Sequence, residues 1–319
     1  MSKIKKVLIV GSSGYIGTHL KDFLIRKFSY DVVCCQRDGK TSPPGICPQV
    51  VYIPDILSFD DWPKVLESVD CVVYLAGVAH TKASHVKKDL YIRINCNAAV
   101  HIAQVAQLNN VKRFIYISTI GVLGDKTEPG EFFTNSSEYN PKSVYAASKM
   151  MAEQRLEKIS RKSNMKIIIL RPPLVFGPNA PGNFKRIVCL TLRRMPLPLK
   201  SFKHKKNMIS VNNLSSIIER CFNASLPVFS KFVVSDDSEF SAFEIGQYVS
   251  ETLNEKVLFF NVPLPLLKFV VKLVGRGDDI DKLSSELMID SSDTRAKINW
   301  KPIEAPKDAL IDAINSYRS

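Results

Sequence analysis

A tyrosine and a lysine four residues apart, in Tyr145-Ala-Ala-Ser-Lys149, are the pair in this chain best spaced to move a proton. On a helix that spacing puts both side chains on one face. An ammonium beside a phenol favours the phenolate, so the Tyr145 pKa is expected to be lowered and its hydroxyl to exchange a proton near neutral pH. Taken alone, such a pair is a common surface feature. Here an apolar run, Arg113–Ser118, precedes it and leads into Thr119-Ile-Gly-Val-Leu-Gly124. The Thr119 hydroxyl can hydrogen-bond a substrate oxygen that is being oxidised or reduced, and Ser118 is the neighbour that competes for that role.

A second cluster suits an anion. Val7–Val10 runs directly into Gly11-Ser-Ser-Gly14-Tyr15-Ile16-Gly17. The first glycine permits a tight turn, the second lets backbone amides approach a pyrophosphate, and the third allows close helix–strand contact. The phosphate would then sit at a positive helix N-terminus. The run Val32-Val-Cys-Cys ends in Gln36-Arg37, where an acidic residue would hydrogen-bond an adenosine ribose and exclude a 2′-phosphate. A guanidinium at Arg37 can pair with that phosphate instead, so the expected cofactor is NAD or NADP, with NADP(H) at least accepted and the leaning towards it.

Elements that would hold these groups alternate along the first half. Strands are expected at Val7–Val10, Val32–Cys35, Val50–Ile53, Cys71–Leu75, Arg113–Ser118 and Lys166–Arg171, with helices beginning near Tyr15, Asp61, Ile92 and Val144. The alternation signals βαβ units, and continuously apolar strands mean that both sheet faces are covered. The fold class is α/β, a Rossmann-type doubly wound parallel sheet over residues 1–176. Residues 177–319 read mainly as a smaller substrate-binding lobe interleaved with the sheet, with helices near 183–195, 212–224, 241–254 and 263–275 and a late strand at Lys231–Val234.

In motif and order the chain resembles the extended short-chain dehydrogenases/reductases, specifically the NAD-dependent nucleotide-sugar epimerase/dehydratase family. The G-x-x-G-x-x-G spacing, Asp55 in Ile53-Pro-Asp55-Ile56, and Ala76-Gly77-Val78-Ala79-His80 ahead of Asn95 carry the likeness together with the Thr-Tyr-Lys set. The resemblance implies that Thr119, Tyr145 and Lys149 are catalytic. Thr119 is preferred to Ser118 because it stands five residues before Gly124, as the catalytic hydroxyl does in UDP-galactose 4-epimerases. It also implies a cofactor site made of Gly11, Gly14, Tyr15, Ile16, Gly17, Arg37, Asp55, Ile56, Leu75, Ala76, Gly77, Asn95, Tyr145, Lys149 and Pro172, and a substrate site that includes His80, Thr119, Asn183 and Lys206. Lys206 stands in a segment similar to the family's R-D-Y-I-H-V, as a point charge for a diphosphate.

The chain departs from the family pattern in several places. Leu123 replaces the aromatic of V-Y-G, Leu174 stands where 4-epimerases carry an Asn, and Arg276 is a weak substitute for a late Arg/Asp pair. Arg171-Pro-Pro-Leu-Val-Phe-Gly-Pro resembles a branch of O-antigen and capsule enzymes that includes UDP-N-acetylquinovosamine 4-dehydrogenases/reductases. The expected reaction is hydride transfer at carbon 4 of a UDP-hexose or UDP-N-acetylhexosamine by a 4-ketoreductase. The alternative is a 4-epimerase that holds NAD tightly, and a distant one is a dinucleotide-sensing regulator without catalysis. A 4,6-dehydratase is disfavoured because Ile120-Gly121, not an Asp-Glu pair, follows Thr119. Relatives suggest a homodimer formed through the helices near Ile92 and Tyr145.

Composition narrows the partners. With 319 residues, 45% of them hydrophobic, a large core is within reach. The seven cysteines form no C-x-x-C pair or zinc spacing, which suggests reduced thiols, no metal and a cytoplasmic location. The formal charge of +13 reads mostly as a solvated basic surface, although Lys200–Lys206 suits phosphate contact. No basic stretch interleaved with aromatics points to nucleic acid. The longest apolar segment, Val262–Gly275, contains Pro263, Pro265, Lys268 and Lys272. It reads as a partly buried amphipathic helix, with an interfacial membrane helix as the alternative, and not as a span.

Overall fold

The computed structural model describes residues 3–37, 49–79, 88–254, 256–267 and 283–318. Seven strands form the main sheet: β1 (Lys6–Val10), β2 (Asp31–Gln36), β3 (Gln49–Tyr52), β4 (Cys71–Tyr74), β5 (Arg113–Ile117), β6 (Lys166–Arg171) and β9 (Phe229–Val233). Their order is β3-β2-β1-β4-β5-β6-β9, and every neighbouring pair is parallel. This is the Rossmann-type α/β sheet that the strand pattern predicts.

Alternate residues of one strand feed two cores. Val7 and Ile9 join Leu20, Leu24, Ile115, Ile168 and Leu214 on one face. Leu8 and Val10 join Tyr74, Phe114, Ile102 and Leu156 on the other. Period-2 alternation combined with helices on both sides is why the strands are apolar at nearly every position. The first face is covered by α1 (Tyr15–Lys27) and α7 (Val211–Cys221), the second by α4 (Ala98–Leu108) and α5 (Val144–Ser160). Short helices α2 (Trp62–Val65) and α3 (Lys88–Tyr91) complete this half, and a π-helical turn at Ile92–Asn97 joins α3 to α4.

The lobe has its own core around Phe176, Phe184, Phe240, Ile245 and Leu310. It contains α6 (Asn183–Leu192), α8 (Ala242–Leu253), α10 (Pro306–Asn315) and a three-stranded sheet of β7 (Leu174–Phe176), β8 (Lys206–Ser210) and β10 (Ser238–Phe240). The pattern of apolar residues did not announce β7, β8 or β10, each only three to five residues long. Helix α9 (Ser292–Ile298) lies near the end of the chain. After the lobe begins, α7 and β9 return to the main sheet, where β9 pairs with β6. Of the expected 263–275 helix, Pro263 precedes the helical residues 264–267, and residues 268–275, with Arg276, lie outside the described residues.

Cys34 is disulfide-bonded, a correction to the expectation of reduced thiols, since no spacing in the sequence marks it. Cys35, Cys71, Cys96, Cys189 and Cys221 are free. Among the described residues no helix is long and apolar enough to cross a membrane, and no His/Cys/Asp/Glu group could hold a metal.

Candidate active site

The C-terminal ends of β1, β4, β5 and β6 open into one cleft of about 180 Å³, lined by Ile16, Leu75, Gly77, Thr119, Tyr145, Lys149 and Pro172. In an open parallel sheet this is the edge where ligands bind. Ser118, the neighbour that competes with Thr119, also lines it, as do Ala79, Ile117, Pro173 and Val175, whose small or apolar side chains gave no chemical signal in the sequence. A larger cavity, about 490 Å³, sits at the opposite end of the sheet beside Lys112, Arg113, Lys162 and Lys166. The C-termini of α4 and α5 reach that end, and cations suit helix C-termini. It holds none of the residues singled out for chemistry.

Helix α5 carries Tyr145 and Lys149. Ser143 caps it by accepting from the Ala146 amide at 3.1 Å. Thr119 leaves β5 in an extended conformation and caps the short turn after it, its Oγ1 accepting from the Gly121 amide at 3.2 Å. That places Thr119 beside Tyr145 on the wall of the same cleft, where its hydroxyl favours the phenolate. Lys149 donates to the Ile117 carbonyl at 2.8 Å and sits 4.6 Å from the Tyr116 ring centroid. Asn95, at 0% exposure, braces the site from the π-helical turn. Its side chain bonds both backbone groups of Val78 and donates to Ser148 at 2.9 Å.

The expected lowering of the Tyr145 pKa is not what the structure shows. Burial raises it to about 12, only partly offset by the Thr119 hydrogen bond. Lys149 does not offset that burial: its ammonium donates to the Ile117 carbonyl, and it is itself pushed down to about 7 by burial, with Glu153 opposing. A half-charged lysine directed elsewhere cannot outweigh desolvation of the phenol.

The glycine turn fits a diphosphate. Helix α1 starts at Gly14 with no side-chain cap and no acidic residue in its first turn, whereas Ser143, Ser210 and Ser241 cap α5, α7 and α8. Its amides are left for an anion. Gly11 has φ +92°, and a Cβ there would lie 2.7 Å from the Ala76 nitrogen; at Gly17 it would lie 2.3 Å from the Gly11 oxygen. Across the cleft, a Cβ at Gly77 would meet Asn95 Oδ1 at 3.0 Å and Lys149 Nζ at 3.5 Å. Tyr15 turns its ring edge towards His19, and its buried hydroxyl has no partner among the described residues.

Farther along the same edge, Gln36 is buried and its carbonyl accepts from the Ile53 amide, while Arg37 is exposed. Asp55 is exposed and accepts from the Leu57 amide at 3.0 Å; Ile56 packs on the core. Asn183 opens α6, and Lys206 opens β8 and donates to Ser285 at 3.0 Å. Neither lines the cleft around Tyr145. His80 lies outside the described residues.

Sequence reasoning missed the group beneath the cleft. Glu153, two turns after Tyr145, is fully buried and accepts from Arg171 through Nε and Nη2, with a closest approach of 2.7 Å. It also accepts from Ser118 and, at 2.9 Å, from Tyr139. Ser118 is therefore turned away from Tyr145 and Thr119 towards it. The only sequence signal was a further step of four after Lys149.

Residues 7–218 match the model of the NAD dependent epimerase/dehydratase family. A UDP-glucose 4-epimerase of Vibrio cholerae is 32% identical over 316 residues, covering 98% of this chain and 95% of that protein. The N-acetyl-alpha-D-glucosaminyl-diphospho-ditrans,octacis-undecaprenol 4-epimerase of Escherichia coli O157:H7 is 24% identical, covering 82% of this chain and 76% of that protein. Among solved structures, a UDP-N-acetylglucosamine 4-epimerase from Methanobrevibacter ruminantium M1, in complex with UDP-N-acetylmuramic acid, superposes with a TM-score of 0.81 at 21% identity, over 99% of both chains. A UDP-glucuronic acid 4-epimerase from Bacillus cereus in complex with NAD gives 0.80 at 17%, over 98% of both. At these identities the two structures speak for the fold alone.

Proposed function

The chain belongs to the NAD-dependent epimerase/dehydratase family, and from that premise we propose that it interconverts the carbon-4 epimers of a UDP-linked hexose or N-acetylhexosamine. The observation that carries this reading is that Thr119, Tyr145 and Lys149 line one cleft at the C-terminal edge of the sheet. The 4-ketoreductase favoured on sequence grounds takes second place, because the Vibrio cholerae relative, similar over nearly its whole length, is a 4-epimerase. The Escherichia coli relative is also a 4-epimerase, acting on a sugar carried by a diphosphate.

In this reading Tyr145 takes the proton of the sugar 4-hydroxyl as carbon 4 is oxidised to the ketone, and returns it after the sugar has presented its other face. Thr119 holds the same oxygen and keeps it within reach of Tyr145. Lys149 orients the nicotinamide ribose and, when charged, favours the phenolate. The amides of Tyr15, Ile16 and Gly17 would hold the dinucleotide pyrophosphate, while Gly11 and Gly14, whose own amides donate to the Cys35 and Gly11 carbonyls, shape the turn that lets it approach; Asp55 and Ile56 would serve its adenine end, and Leu75, Ala76, Gly77, Asn95 and Pro172 its remaining length. NAD held by these residues would supply the hydride acceptor, and in return the hydride donor, for carbon 4. Asn183, Lys206 and His80 are proposed for the sugar diphosphate. Arg37, exposed beside a non-acidic Gln36, supports acceptance of NADP(H) as well as NAD(H). Exposed Leu90 on α3 and Val144 on α5 support the pairing of two copies through these helices.

The test is to mix the purified protein with UDP-glucose, UDP-N-acetylglucosamine and a UDP-4-keto-6-deoxy-N-acetylhexosamine, each with NAD, NADH or NADPH. Formation of the galacto epimer without net change in reduced cofactor is expected. Oxidation of NADH or NADPH seen only with the keto sugar would establish the reductase instead. Reductions with NADH alone would remove the role given to Arg37.

A further inference from the structure

Tyr145, Lys149 and Glu153 lie at steps of four on α5, a single stripe about 12 Å long at the usual helical rise. The first two face the cleft and the third points below it. The Glu153 carboxylate has no exposure and spends both oxygens on named donors. Oε1 accepts from Ser118 and Arg171, and Oε2 accepts from Tyr139 and Arg171. Each donor sits at a hinge of the cleft. Ser118 is bonded in sequence to Thr119. Arg171 ends β6, next to Pro172 and Pro173 on the cleft wall. Tyr139 belongs to the segment between Gly124 and α5, and its ring lies 5.1 Å below the Arg171 guanidinium.

We propose that Glu153 is the positioning residue of this active site, locking the Ser118–Thr119 corner, the end of β6 and the Tyr139 segment to the helix that carries Tyr145 and Lys149. It does so without touching substrate. The inference rests on the proposed roles of Thr119 and Tyr145. A fixed Ser118 determines where the Thr119 hydroxyl points, because the two share a peptide unit at the end of β5. A shift there by even a fraction of an ångström would move the Thr119 hydroxyl relative to Tyr145 across the cleft, and orientation errors of that size are costly in rate.

The carboxylate also acts through charge. Lys149 is surrounded by the Tyr116 ring, the Ile117 carbonyl, Tyr145 one turn before it, the Asn95 amide across from it and Glu153 one turn after it. Among these groups only Glu153 is an anion, and it favours the ammonium. Arg171 brings a compensating cation, but as the partner of Glu153 it faces Ser118 and Tyr139. Removing the Glu153 charge would therefore let Lys149 lose its proton at a lower pH.

The experiment compares wild type, Glu153→Gln, Ser118→Ala and Tyr145→Phe by epimerisation kinetics across pH and by dinucleotide binding. For Glu153→Gln the expected result is a fall in kcat of roughly tenfold or more, KM and NAD affinity within about twofold, and the pH limb set by Lys149 moved to lower pH. Ser118→Ala leaves the buried ion pair intact and so guards against a folding artefact; kcat is expected to fall roughly fivefold or more in a protein that keeps the wild-type circular dichroism, with a lowered melting temperature from the lost buried hydrogen bond. A folded Ser118→Ala with wild-type kcat, or a folded Glu153→Gln with wild-type kcat and pH profile, overturns the positioning role. Tyr145→Phe separates the two failures: if it keeps normal turnover, the catalytic reading itself is wrong, and if it is inactive while both other variants are normal, only the role of Glu153 is lost.

Discussion

Lys149 exchanges its hydration for one carbonyl and a tyrosine face, and its pKa falls from 10.5 to about 7. An unfolded chain would keep that proton until near 10.5. Between about pH 7 and 10.5 the unfolded state thus binds more protons than the folded one, and stability rises with pH across the window. Below pH 7 both states are charged and the folded state bears the full desolvation cost. Tyr145, raised from 10 to about 12, has the opposite sign and lowers stability only above pH 10. Lys149→Met, measured by thermal melting without dinucleotide, should therefore raise Tm most at pH 6 to 7, with the gain shrinking towards pH 10. A gain that does not change with pH would mean that Lys149 stays charged throughout. Such a group, poised by its surroundings, was only half legible in the sequence. The four-residue step picked out Tyr145 and Lys149, and the run into Gly124 picked out Thr119 over Ser118. Burial, which reverses the expected shift of Tyr145 and sends Glu153 inward, is a property of packing that no spacing encodes.

Most secondary elements were legible for the opposite reason: the pattern that marks them is the packing itself. Residues such as Val7–Val10 or Cys71–Tyr74 can be apolar on both faces only where helices cover both. The strands of the lobe sheet carry no such signature. Lys206-Asn-Met-Ile-Ser holds two apolar residues, and its order comes from pairing with β7 and β10 and from the Leu287 carbonyl, which accepts from the Asn207 amide. Contacts so distant in the chain leave little local trace. The faces of α3 and α5 raise a separate expectation, since Leu90 and Val144 are exposed on them at 37% and 42%. Sedimentation should show a dimer, and Leu90→Lys should shift it towards monomer while leaving the far-UV dichroism unchanged. A wild-type monomer at micromolar concentration would rule out the pairing.

Across the molecule the charge is unevenly placed. Between Glu157 and Glu219 there is no acidic residue but there are thirteen lysines and arginines, equal to the entire formal excess of +13. The stretch includes the sheet's last inner strand, β6, and the lobe helix α6 with the Lys200–Lys206 cluster. A field of that sign attracts a sugar diphosphate over distances that salt shortens to about 10 Å at 0.1 M. Raising NaCl from about 50 to about 500 mM should raise KM for the nucleotide sugar roughly threefold with kcat nearly constant. An unchanged KM would show that these cations do not steer substrate. The order in which the sheet is completed has a further consequence. Strand β6 lies between β5 and β9, and β9 is the last of the seven to be made. While the chain is still growing from the ribosome, β6 therefore shows the cell an open hydrogen-bonding edge flanked by apolar faces, the kind of surface that recruits unwanted strands. Until Phe229–Val233 has emerged, this protein depends on whatever shelters nascent chains, and a translational pause between Arg171 and Phe229 would be the most dangerous place for its synthesis to stall.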